Sequence, residues 1–446
     1  MTTVRRSAAA FAASAVLCVA VAPAAVAGGD VNPAGSPSSS ASPSPAASDA
    51  PSASPSASPS SPPPVVIPPG LYGDKDPTYD GVWRQSLAML GQFAAGVRPA
   101  NQAVAWLKGQ QCANGAFPAY RADPTTPCDA TTMVDSNATA AAVQALSTLG
   151  GQRAPMDKAM NWLRSVQNKD GGWSYSPGTP SDANSTSLVI GALTVAGIRP
   201  SSIRSPEGRN AYDALVSFSI PCDPGADAGA FAYQPDAAGK LSANDDATAA
   251  AVLGGVGKRM VTAPVEAGPA PSCEKTADLA PERAARNGAA YLASALAATG
   301  HLDLPPMPGA DDSAPLPDVG NTADAVVALM ASGYGDQATG ALEWLKENSG
   351  AWAQENGPAA YAQLIFAAHA TDTDPHNFGG IDLVQRLNAT GPAPKAVVAA
   401  TAPATAESGT GAGAGRGTLW GIGIGLIVCC VAIGFVINSR RKTQQP

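Results

Sequence analysis

Between residues 79 and 391 the apolar positions recur at helical spacing, in two kinds of segment that alternate. The first kind opens on an Asx residue, as in Asp135-Ser136-Asn137-Ala138-Thr139. Its Thr139, Val143 and Leu146 fall at i, i+4 and i+7, which gives one buried stripe. The leading Asx suits an N-cap, whose side chain accepts from the first free backbone amides. The pattern returns at Asp182-Ala183-Asn184-Ser185-Thr186, at Asn244-Asp245-Asp246-Ala247-Thr248 and at Asp318-Val319-Gly320-Asn321-Thr322. Ala and Gly fill most other positions, so these helices are crowded on every face. The second kind is amphipathic and ends in a Gly-bearing turn with an aromatic anchor. Its clearest copy runs from Lys158 through Trp162 and Leu163 to Gln167, Gly171, Gly172 and Trp173.

The two patterns predict about twelve helices, near 79–96, 99–111, 135–150, 155–168, 182–197, 206–219, 244–258, 281–299, 318–334, 336–348, 357–371 and 380–389. Inner and outer helices alternate, which is the signature of a stacked repeat array. Six pairs can close into a ring. With no polar cap at either end, closure is expected over an open solenoid.

The motif Gln167-x-x-x-Gly171-x-Trp173, with the variant Gln111-x-x-x-Gly115-x-Phe117, resembles the Gln-Trp repeat of the squalene cyclase and prenyltransferase superfamily. The Asx-x-x-x-Thr inner helices resemble those of the transcobalamin and intrinsic-factor branch. The resemblance covers about residues 79–391 and implies an all-α (α/α)6 toroid. It leaves function open, because the superfamily spans cyclases and vitamin carriers.

The ends read differently. Residues 1–27 have a basic start, an apolar stretch and the small-x-small site Ala25-Val26-Ala27, as a secretory signal does. Residues 28–70 form a Ser/Pro/Ala-rich tail that cannot build a core. The toroid is expected over 71–391, followed by a low-complexity tether at 392–417. Residues 418–438 contain a charge-free stretch from Leu419 to Ile437, long enough for a membrane span, and 439–446 is a basic tail placed in the cytoplasm by the positive-inside rule. The expected location is the cell membrane, single-pass, with the toroid outside.

Of seven cysteines, Cys18 falls in the signal and Cys429 and Cys430 in the span. Cys112, Cys128, Cys222 and Cys273 remain in the exported domain and imply two disulfides. Of the three connectivities, Cys112–Cys128 with Cys222–Cys273 is favoured, since each pair flanks a Pro- or Gly-rich loop. No zinc-like spacing supports a metal, and no cofactor is expected.

Composition narrows the chemistry. The net charge of −8, 14% charged residues and 5% aromatic residues argue against a nucleic-acid partner. The resemblance implies an Asp-x-Asp-Asp acid for a cyclase. Asp245 and Asp246 keep only its last two carboxylates, and their simpler role is in a helix first turn. Asn137, Asn184 and Asp246, each two residues after a cap, are candidate ligand contacts, with Trp173, Tyr175 and Tyr233 from the turns. The expected function is a non-catalytic surface protein that binds a small ligand. The carrier branch implies a corrinoid-type nutrient passed to a transporter or second binding protein. An envelope interaction module and a terpenoid- or prenyl-processing enzyme are the alternatives.

Overall fold

A computed structural model describes residues 66–276, 278–305 and 315–395. The predicted export signal, membrane span and basic tail lie outside these residues, as does nearly all of the two low-complexity stretches. Among the described residues no helix is long and apolar enough to cross a membrane.

The described chain is mostly helical, with thirteen α-helices. Six are inner: α1 (Gly81–Ala94), α3 (Ser136–Ser147), α5 (Ala183–Val195), α7 (Asp245–Gly255), α9 (Val319–Ala331) and α12 (Pro358–Ala370). Each packs on the next in that order, and α12 packs back on α1, so the ring is closed. Closure is tight where Gly91 of α1 meets Ala362 of α12, since a Cβ on Gly91 would stand 3.1 Å from the Ala362 Cα. The first and last described segments meet at the same seam: the Gly73 amide donates to Thr390 O at 2.8 Å and Lys395 N to Arg98 O at 3.0 Å. Ile67 packs on the core and Lys395 pairs with Arg98, so both are part of the packed ring.

The outer helices are α2 (Asn101–Gly109), α4 (Arg153–Ser165), α6 (Ala211–Ser217), α8 (Pro281–Leu296), α10 (Gly335–Asn348) and α13 (Leu383–Asn388). The extra helix, α11 (Gly350–Asn356), was not expected. The sequence there reads as a turn carrying Trp352, but about two more helical turns link α10 to α12.

The Asx-x-x-x-Thr repeat is a structural clasp. Asp135, Asp182, Asn244 and Asp318 cap their helices, accepting from the amides of Ala138, Ser185, Ala247 and Asn321. Each cap is worth about 1 kcal/mol. The Thr four residues on is fully buried in all four copies. Its hydroxyl accepts an amide from the preceding outer turn: Phe117 N to Thr139, Trp173 N to Thr186, Phe231 N to Thr248 and Leu302 N to Thr322, at 2.9–3.0 Å. One side chain therefore ties each inner helix to the preceding aromatic turn.

The turns follow the same logic. Gln167 donates to Gly171 O at 2.7 Å and Gln111 to Gly115 O at 3.0 Å. Gly171 has φ +92°, and a Cβ there would lie 2.3 Å from the Asn210 carbonyl oxygen at the start of the next outer helix. Only glycine allows that approach. Both expected disulfides are present, Cys112–Cys128 and Cys222–Cys273.

Candidate functional site

The inner helices do not fill their axis. A cavity of about 260 Å³ is lined by residues from all six: Trp83 and Leu87, Asn137 and Gln144, Asn184 to Gly191, Asp246 to Leu253, Asp324 and Val327, Gln363 and Phe366. Late in α3, Gln144 donates to Leu188 O of α5, and the first turns of α5 and α7 meet through Asn184 and Asp246, so these helices run in one direction. Their N-terminal turns bring Asn137, Asn184 and Asp246 to one end. Lys258 and Arg259, just past the C-terminus of α7, lie at the other. Acids at helix N-termini and cations beyond C-termini both suit the helix dipoles.

The acidic end carries two carboxylates in a poor environment. Burial pushes Asp324 up to about 7, with Asp246 and Asp318 adding repulsion and a hydrogen bond with Gln363 opposing the shift. The Gln363 amide donates to Asp324 Oδ2 at 3.1 Å. Burial likewise lifts Asp246 to about 6, against a hydrogen bond from Asn184 Nδ2 and with Asp318 and Asp182 adding repulsion. Neither acid forms an ion pair among the described residues. Around them, the Oδ1 atoms of Asn137 and Asn184 and the hydroxyl of Ser187 are buried without a hydrogen-bond partner. A buried polar atom left so costs about 1–3 kcal/mol.

A second cavity of about 200 Å³ shares Trp83 and Asn137 with the first. It is lined by Tyr79, Asp80, Ala119, Asp135, Ala138 and Tyr175 as well. Tyr79 is 84% exposed there. Asp135, the α3 cap, is pushed by burial to about 7.

The expected contact residues separate. Asn137, Asn184 and Asp246 share the axial cavity, and Tyr175 lines its neighbour. Trp173 is a correction: it is 0% exposed, lines neither cavity, and its indole N–H donates to Leu163 O at 2.7 Å. It wedges α4 against α5. Tyr233 is partly exposed but lines neither cavity; its side chain hydrogen-bonds Asp182. Asp245 turns away from the axis to accept from the Tyr291 hydroxyl at 2.7 Å. Burial raises Asp245, and the Tyr291 bond works against that rise.

The sequence reading missed Trp83, Gln144, Ser187, Asp324, Gln363 and Phe366. For Asp324 a signal existed: it is a lone carboxylate in the otherwise apolar run from Ala323 to Met330. Sites for drug-sized ligands run to roughly 300–1,000 Å³, and the axial cavity is smaller. Among the described residues no group of three or more His, Cys, Asp and Glu is placed to hold a metal. His376 Nδ1 meets Asp382 Oδ2 at 3.1 Å.

No family model matches the chain, and no curated protein matches it. Among solved structures it is similar to a sugar epimerase from a ruminal bacterium, at 15% identity over 63% of this chain and 80% of that one, with a TM-score of 0.39. A protein from Actinoplanes is 17% identical over 65% of this chain and 100% of that one, with a TM-score of 0.30. A type II terpene cyclase from Scytonema is 16% identical over 59% of this chain and 78% of that one, with a TM-score of 0.27. At such TM-scores these likenesses carry no argument about what the chain does.

Proposed function

We propose that this protein is an exported, membrane-anchored α/α toroid that binds a small molecule in its axial cavity. One observation carries the reading: all six inner helices line a space containing two unpaired carboxylates, Asp246 and Asp324, beside buried acceptors that have no partner. A ring filled for stability alone would place apolar side chains there, because buried charge without a counter-charge is costly. Polar groups kept at such cost in a cavity favour a ligand. The two disulfides favour an oxidising compartment. The apolar segment 418–438 supplies the anchor, and a transporter or second binding protein would receive the ligand.

Native mass spectrometry of the purified protein tests this. A co-purified small molecule is expected, and it should be absent from Ala250→Phe, which fills the cavity from α7. Retention of the same molecule by that variant would place it elsewhere and end the axial reading.

The second reading is an acid catalyst. It is favoured by Asp324, whose pKa of about 7 suits proton donation near neutrality.

A further inference from the structure

The axial cavity has more acceptors than donors at its acidic end. Asp246 and Asp324 each receive one hydrogen bond from a neutral amide, Asn184 and Gln363. A carboxylate can accept several more. Ser187 is 6% exposed, lines the cavity, and has a hydroxyl without a partner. The Asn137 and Asn184 amide oxygens add two further acceptors without partners.

The charges nearby are of one sign. Asp182 and Asp318 act on Asp246, and Asp246 and Asp318 act on Asp324. The cations of the same cavity, Lys258 and Arg259, follow α7, whose eleven residues span about 16 Å. They are exposed, and the Arg259 Nε–H donates to Val261 O at 3.0 Å. They leave the acidic end without a counter-charge. Trp83 and Phe366 complete the wall with aromatic surface, which attracts cations as well as apolar skeletons.

We propose that the acidic end of the axial cavity holds a small organic ammonium ion, its N–H groups donating to Asp246 and Asp324 and its carbon skeleton lying against Trp83 and Phe366. This rests on the reading of the axial cavity as the ligand site. A neutral polyol could supply donors, but it would leave two carboxylates repelling each other; a cation relieves both deficits. Binding is linked to protons. The cation holds Asp246 and Asp324 ionised, so uptake near neutrality releases protons and affinity falls as the pH drops below about 7 and then about 6.

The test compares benzylamine, benzyl alcohol and benzoate, three probes of one size and shape, by calorimetric titration of the full-length protein at pH 8 and pH 5. Benzylamine, charged at both pH values, should bind one site per chain at pH 8. It should bind at least tenfold more tightly than benzyl alcohol, and benzoate should bind least. Its affinity should fall at least tenfold at pH 5. Asp324→Asn should cost at least tenfold in benzylamine affinity and leave benzyl alcohol unchanged, with circular dichroism confirming the fold. If the alcohol binds as tightly as the amine, and Ala250→Phe abolishes both, the cation proposal fails while the cavity remains the site. If no probe binds, or the amine binds Ala250→Phe undiminished, both fail.

Discussion

Replacing Asp324 by Asn removes a carboxylate that the ring holds in a hostile place. The variant keeps the shape and an oxygen that can accept from Gln363, now at 3.1 Å. Its effect is set by the difference between a group near 3.8 in the unfolded chain and about 7 in the folded one. Below pH 3.8 both states hold the proton and the carboxyl costs nothing. As the pH rises from 3.8 towards 7, the unfolded chain loses its proton first, so the native protein loses stability. Above 7 the loss is complete, at about 4 kcal/mol. Water in the cavity screens part of it, so Asp324→Asn should gain about 2–4 kcal/mol at pH 8. Roughly two fifths of that gain should remain at pH 5, and almost none near pH 3. Urea denaturation of both proteins across pH 3–8 measures the difference. A variant no more stable than the parent at pH 8, or one with the same gain at pH 5 and pH 8, would refute the assignment of Asp324 as a strained acid. A protein that gives up stability at this position is keeping the charge for a use.

Three further outcomes follow from the packing. Gly171→Ala places a Cβ 2.3 Å from the Asn210 carbonyl and should cost at least about 2 kcal/mol, lowering Tm, whereas Gly178→Ala, with nothing within 4 Å, should cost about 1 kcal/mol. Thr186→Val leaves the Trp173 amide without its acceptor and should cost about 1–3 kcal/mol in chemical denaturation; Thr186→Ser should recover most of it. Removing Cys222–Cys273, which closes a 51-residue separation, should destabilise by about 4 kcal/mol, against about 3 kcal/mol for Cys112–Cys128 at 16 residues. Equal losses for the two double-Ser variants would contradict the loop-entropy account.

The inner helices α3, α5, α7 and α9 were legible because each opens on its own capping side chain. Asp182 caps α5 and the stripe Thr186, Ile190, Leu193 is buried as the spacing requires. The exception is instructive: in α7 the third stripe position is Gly255, where a Cβ would meet the Pro281 carbonyl of α8 at 2.9 Å. Closeness to another helix overrode the local pattern there. The candidate site was half legible. Asn137, Asn184 and Asp246 stand at one offset from their caps, so the repeat itself carries them to one end of the axis. Trp173 occupies the comparable place in its turn and looked like a contact, but its bulk is what joins two helices. Asp324 and Gln363 sit deeper along α9 and α12, each six residues past its cap, where α3, α5 and α7 carry only Ala141, Leu188 and Ala250, so the repeat does not mark them.

By itself, the sequence determined the number and order of nearly all the helices, their caps, the alternation of inner and outer, and which cysteines could pair. These depend on neighbours three or four residues apart, and that information is local. The tertiary structure decided that the ring closes between α1 and α12, that a hollow remains at its centre, and that Asp246 and Asp324 share it. Those outcomes depend on how six separate helices lean against each other, and the field between two carboxylates exists only once they do.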